Sequence, residues 1–139
     1  MDNLAIHLGL HGVLVLIVSV FGGLLLYWSI LKDTNRADWH LLHAGGSARG
    51  ILLIALAAII SLVDLPIWQK TAAVWFVIYF AWTSTLAMLI RASSGEKGFR
   101  FAGTKTNKLV FFLYASGALV FSPASFCWSW VCCEPCEKP

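Results

Sequence analysis

Apolar residues along this chain come in long blocks, with short polar stretches between them. The first block runs from about Leu8 to Leu31 and is broken only by His11, Ser19 and Ser29. A second reaches from Gly50 to Val63, a third from Thr71 to Ile90 and a fourth from Leu109 to Val131. An apolar helix of about 20 residues crosses a hydrocarbon core of roughly 30 Å. The pattern predicts an all-α integral membrane protein, a four-helix bundle in a single domain over residues 1–139. The expected helices cover 8–31, 44–65, 71–90 and 109–131, followed by a short tail at 132–139.

The second block is the shortest. To span, its helix must begin near His43 or Ala44, which places His43 on the first turn after a polar loop holding Asp33, Asn35, Arg36 and Asp38. Pro123 is expected to kink or end the fourth helix. Thr83, Ser84 and Thr85 fall in mid-membrane, where hydroxyls bond the carbonyls of the preceding turn or a neighbouring helix. Gly9, Gly12, Gly22 and Gly23 offer small surfaces on which another helix, or a flat ligand, can approach closely.

Composition agrees with the blocks. The chain is 59% hydrophobic and 12% charged, with a mean hydropathy of +0.78, whereas a soluble domain carries about 25% charged residues. A net charge of +3 confined to loops argues against a nucleic-acid partner but bears on orientation. Lys32, Arg36, Arg49, Arg91, Lys97, Arg100, Lys105 and Lys108 fall in loops 32–49 and 91–108, against Lys70 and Lys138 on the other side. The positive-inside rule then puts both loops in the cytoplasm. The four cysteines, Cys127, Cys132, Cys133 and Cys136, crowd the C-terminal end. They read as a juxtamembrane cluster open to acylation rather than a disulfide framework, which would scatter them along the chain. The N-terminus carries Asp2 and too long an apolar run for a signal peptide.

Histidine in a membrane segment is uncommon and usually paired or functional. His7 and His11 are four apart and share a helix face, while His40 and His43 are three apart. A neutral imidazole ligates haem iron well, and burial keeps it neutral. His7 and His40 lie near interfaces, where solvation suffices. His11 can be explained by structural hydrogen bonding or by ligation. His43, followed by Ala44, Gly45 and Gly46, has small neighbours over which a macrocycle can lie close to the backbone. Among acids, only Asp64 adjoins a membrane segment, no GxSxG elbow exists, and Gly45-Gly46 is no phosphate loop. Any catalysis therefore needs a cofactor as electrophile.

With these residues laid out, the chain resembles the styrene oxide isomerases, small four-helix membrane proteins. His11-Gly12-Val13-Leu14 followed by Phe21-Gly22 is similar to the family's His-Gly-Ile-Leu and Phe-Gly. His43-x-Gly45, with Gly50 seven residues after the histidine, resembles its His-x-Gly…Asn-Gly pattern. Gly98-Phe99-Arg100-Phe101-Ala102-Gly103 with Asn107 resembles its Gly-x-x-Phe-Gly-Pro-Asn loop, and Lys70-Thr71-Ala72 also fits. The likeness covers most of residues 7–120.

The resemblance implies a homotrimer in the lipid bilayer with haem b between neighbouring subunits and His43 as axial iron ligand. It further implies a hydrophobic epoxide substrate, rearranged to an aldehyde by ferric iron acting as a Lewis acid. Trp75, Tyr79 or Trp82 would line an apolar pocket that keeps water off a benzylic cation. Around the haem the implied residues are His43, His11, Gly45, Gly46 and Arg49, and the implied catalytic residues are Arg49, Tyr79 and Trp82. Two positions depart from the pattern. Arg49 stands where the family has asparagine, and the family's helix-three aspartate falls near Trp82, with no match for its tyrosine. Arg49 is suited to a haem propionate or an anionic substrate, or else snorkels to the interface. Two other readings stay open. One is a b-type electron-transfer subunit with haem held by His43 and a second histidine such as His11. The other is a cofactor-free membrane scaffold.

Overall fold

A computed structural model describes residues 3–98, 101 and 103–131, with side chains as far as residue 119. Four helices follow one another: α1 (Asn3–Leu31), α2 (Arg36–Ile59), α3 (Ile67–Ser94) and α4 (Lys105–Val131). Among the described residues, α1, α2 and α3 are each long and apolar enough to cross a membrane. The all-α expectation holds.

The first correction concerns α2. It begins at Arg36, not near His43, and ends at Ile59 rather than Leu65. The reason lies in the preceding turn. Asp33 takes a left-handed backbone (φ 53°), which a short polar side chain tolerates. The Thr34 N–H reaches the Ser29 carbonyl at 3.0 Å and the Asp33 N–H reaches that of Ile30 at 3.4 Å. These paired bonds form a Schellman closure of α1, so the chain reverses within a few residues. At 24 residues, α2 is about 36 Å long and spans with its polar first turns included. His43 consequently sits two turns inside the helix. At the other end α2 closes with the Ile60 N–H on the Leu56 carbonyl at 2.9 Å and a turn from the Leu62 N–H to the Ile59 carbonyl at 2.9 Å, before Asp64-Leu65-Pro66. The fourth helix runs through Pro123 to Val131, so that proline does not end it. The side chains of Pro123 and Cys127, and all of Cys132, Cys133 and Cys136, lie outside the described residues.

Helix α1 packs mainly on α2, and α3 on α4, while α2 and a narrower strip of α1 join α3. Among the described residues α1 and α4 do not touch. Leu8, Val15, Leu53, Val74, Ile78 and Ala81 form the shared core. In lipid, burying leucine gains little, so close approach of small residues holds helices together. The α1–α2 seam follows that rule. A Cβ on Gly12 would stand 2.9 Å from the Gly50 carbonyl oxygen, and one on Gly50 would stand 2.9 Å from that of Gly12. On the other pair, a Cβ on Gly117 would meet Thr83 Oγ1 at 2.9 Å.

The end of the bundle carrying the α1–α2 and α3–α4 turns is fastened by polar contacts. Asp38, in the first turn of α2, accepts from Arg91 Nε in the last turns of α3 at 2.7 Å. Both charges also suit the helix ends they occupy. Asn35 Nδ2 donates to the Ala92 carbonyl at 3.1 Å. In the following loop, Asn107 Oδ1 accepts from the Gly98 N–H at 2.8 Å, and Gly98 is buried with φ 67° against Val110. Of the loop quoted above, Phe99, Arg100 and Ala102 lie outside the described residues.

Candidate functional site

His43 projects from α2 onto α1. Its Nδ1 lies 2.9 Å from the backbone carbonyl oxygen of Ser19. A carbonyl only accepts, so Nδ1 carries the proton and donates, which leaves Nε2 with a free lone pair. Gly23 makes this reach possible, because a Cβ there would stand 2.8 Å from Nδ1. Ser19 fastens the same spot from its side chain: its Oγ donates to the His43 carbonyl at 2.5 Å and lies 2.7 Å from Ser47 Oγ. Ser19 is fully buried and His43 half-buried. A neutral imidazole whose Nδ1–H is fixed by a carbonyl is the form that binds a metal through Nε2.

Gly45 and Gly46 serve two different neighbours. Gly46 faces α1, where a Cβ would meet Ser19 Cβ at 3.0 Å. Gly45 faces α3, where a Cβ would stand 2.9 Å from Arg49 Nη1 and 3.2 Å from the Met88 sulfur. Neither keeps a bare backbone surface beside His43, as the sequence suggested. The small residue that opens space for the imidazole is Gly23, on the other helix.

His11 is held elsewhere. Trp82 Nε1 donates to His11 Nδ1 at 3.1 Å. An indole N–H only donates, so Nδ1 of His11 bears the lone pair and Nε2 the proton. Trp75 stacks near both His7 and His11, with ring centroids 5.5 and 6.2 Å away. Along α1 the Ser19–Gly23 contact with His43 is eight to twelve residues beyond His11, about 12–18 Å at 1.5 Å per residue. Within one chain the two histidines are therefore not brought to a single iron.

The remaining sequence candidates scatter. Trp82 belongs to His11, not to His43. Tyr79 and Trp75, both on α3, are exposed, Trp75 beside the imidazoles of α1. His40 is exposed. Thr83 and Ser84 donate to carbonyls of the preceding turn, as expected of mid-membrane hydroxyls. Thr85 Oγ1 is buried without a partner among the described residues. Arg49 leans to α3, with Nη1 3.4 Å from the Met88 sulfur and the guanidinium carbon 5.9 Å from the centre of the Phe80 ring.

Sequence reasoning missed Ser19, the contact of Gly23 with His43, Met88 and Phe80. A lone serine in an apolar helix looks like filler, and its partners lie 24 and 28 residues away. Only the coincidence of Ser19 and Gly23 at i, i+4 hinted at a contact on that face.

A profile of the styrene oxide isomerase family matches residues 4–132 of the chain. The chain belongs to that family. No curated protein matches it. Family membership suggests an isomerase-like activity, and the helices agree with a membrane setting. Arg49 and Met88 stand out in the bundle, because a cation and a thioether meet at 3.4 Å between α2 and α3.

Proposed function

We propose that the chain is a haem-dependent membrane isomerase that rearranges a hydrophobic epoxide to a carbonyl compound. The observation that carries this is the Nδ1–H contact of His43 with the Ser19 carbonyl, which leaves Nε2 free to bind iron. The residues present fit a haem: His43 would ligate it, with its ring braced by Gly23 and Ser19. A bound ferric haem supplies a Lewis acid that polarises the epoxide oxygen, for a redox-neutral rearrangement with a 1,2-hydride shift. What the chain contributes is orientation and exclusion of water. The Ser19 carbonyl fixes the tautomer and plane of the imidazole and raises its basicity as a ligand. Gly22 and the buried Leu42 pack beside it, and an apolar surround of that kind would keep out water that could trap a cation.

The family resemblance supports a homotrimer with the haem between subunits, and Lys32, Arg36, Arg91, Lys97, Arg100, Lys105 and Lys108, in the stretches 32–49 and 91–108, support a cytoplasmic position for that end of the chain. The test is an absorption spectrum of the detergent-purified full-length protein after expression with ample haem. A ferric Soret band lost in His43→Ala, together with conversion of styrene oxide to phenylacetaldehyde, is the expected result. Colourless wild-type protein would sink the reading.

A further inference from the structure

Arg49 is a charge within the bundle that the proposed reaction does not use. Arg49 lies mid-way along α2, thirteen residues from its start and ten from its end. A guanidinium has five N–H donors, no acceptor, and stays protonated. Among the described residues Nε is buried with no hydrogen-bond partner, and Nη1 has a thioether sulfur at 3.4 Å, a weak acceptor. Beneath the head lies the Phe80 ring, and beside it Gly45, whose missing Cβ leaves the room that Nη1 occupies.

The described carboxylates are committed elsewhere. Asp33 pairs with Arg36 and Asp38 with Arg91. Glu96 accepts from Thr104 Oγ1 at 2.8 Å, and Asp64 is exposed in the turn at the opposite end of α2. The Tyr114 hydroxyl on α4 is within electrostatic reach of Arg49 and is hydrogen-bonded to Arg91. Asp38 and Arg91 cancel, which leaves the charge of Arg49 uncompensated among the described residues. In a membrane bundle an uncompensated cation is costly, and such residues pair with an opposite charge or mark a ligand path.

We infer that Arg49 is the seat of a carboxylate brought in by a ligand, gripped by the guanidinium fork over Phe80 and Gly45. Planar, bidentate pairing suits a carboxylate. Two sources share that chemistry: a propionate of the cofactor, or a carboxylate on the substrate, which would make this member selective for an acidic aryl epoxide. Only the first source rests on the haem reading.

Two pairs of probes separate the sources, on full-length protein in detergent. Haem is titrated against haem dimethyl ester, read at the Soret band. Phenylacetate is titrated against phenylacetamide by calorimetry, with and without haem. A charge-assisted hydrogen bond predicts about a ten- to hundredfold preference for the acid in one pair, abolished in Arg49→Met and partly kept in Arg49→Lys. Preference in the haem pair assigns the site to a propionate, and preference in the phenylacetate pair assigns it to substrate. Equal binding within both pairs by wild-type protein overturns the inference and needs no variant to fold. Preference that survives Arg49→Met overturns it too. If no haem binds at all, the proposed function fails, while the phenylacetate pair still decides Arg49.

Discussion

His43 and His11 are both half-buried histidines in apolar helices, yet their surroundings protonate opposite nitrogens. His43 meets an acceptor, the Ser19 carbonyl, and keeps Nε2 as a base. His11 meets a donor, the Trp82 indole, and keeps its proton on Nε2. Residue type and burial are alike, so neither tells a ligand from a strut. What separates them is the direction of one hydrogen bond, and that direction is set by a glycine in one case and an indole in the other. Gly23 lets the His43 ring reach a backbone oxygen that any side chain at 23 would screen. Trp82 fills the equivalent space beside His11 and ties α3 to α1.

The largest expected effect comes from removing each imidazole in turn. His43→Ala should abolish the haem spectrum, whereas His11→Ala should leave it intact and lower thermal stability through the lost Trp82 bond, by about 1 kcal/mol. Spectra and melting curves of the two variants are the measurement. Loss of haem in His11→Ala would erase the distinction between the two sites.

Next comes the glycine. Gly23→Ala places a methyl 2.8 Å from His43 Nδ1, so the ring must turn away and give up the Ser19 carbonyl. Disturbing an outer-shell partner of a metal-bound histidine costs roughly 10–100-fold in affinity. A haem titration of this variant should show a loss in that range, with the helices retained by circular dichroism. Unchanged affinity would mean that the carbonyl contact does not prepare His43.

How far these features could be read from sequence differs between fold and site. The helices were legible because apolar blocks and the cost of unpaired backbone in lipid allow little else. The start of α2 was not, since Arg36-Ala37-Asp38-Trp39 is polar and hydropathy cannot tell a polar helical turn from a loop. Asn35 followed by an acid in the first turn was the available signal. At the site, His43 stood out among small residues, but which glycine touches its ring was not legible. Gly45 and Gly46 adjoin it in sequence, while Gly23 adjoins it in space. Which face of α1 meets which face of α2 depends on the Gly12–Gly50 register, and that pairing is not written in either helix alone.

A smaller effect separates the two roles of Ser19. Ser19→Ala removes the Oγ bonds to the His43 carbonyl and Ser47 but keeps the backbone carbonyl that His43 Nδ1 uses. Stability should fall by about 1 kcal/mol, measured by thermal denaturation, with haem affinity close to wild type. A haem loss as large as that of Gly23→Ala would shift the credit from the carbonyl to the hydroxyl.

The smallest effect tests the tautomers themselves. In nitrogen-15 spectra of imidazole-labelled protein without haem, His43 should show a protonated Nδ1 and His11 a protonated Nε2. Trp82→Phe keeps an aromatic ring against α1 but deletes the indole N–H, so His11 Nδ1 loses its only described donor. The His11 signals should then move toward a mixture of tautomers, while those of His43 stay fixed, because the carbonyl of Ser19 is untouched. Stability should drop by no more than about 1 kcal/mol. If His11 kept its Nε2–H form without the indole, something other than Trp82 would be holding it. If His43 shifted as well, the two regions would be coupled through α1, and the independence assumed for every variant above would no longer hold.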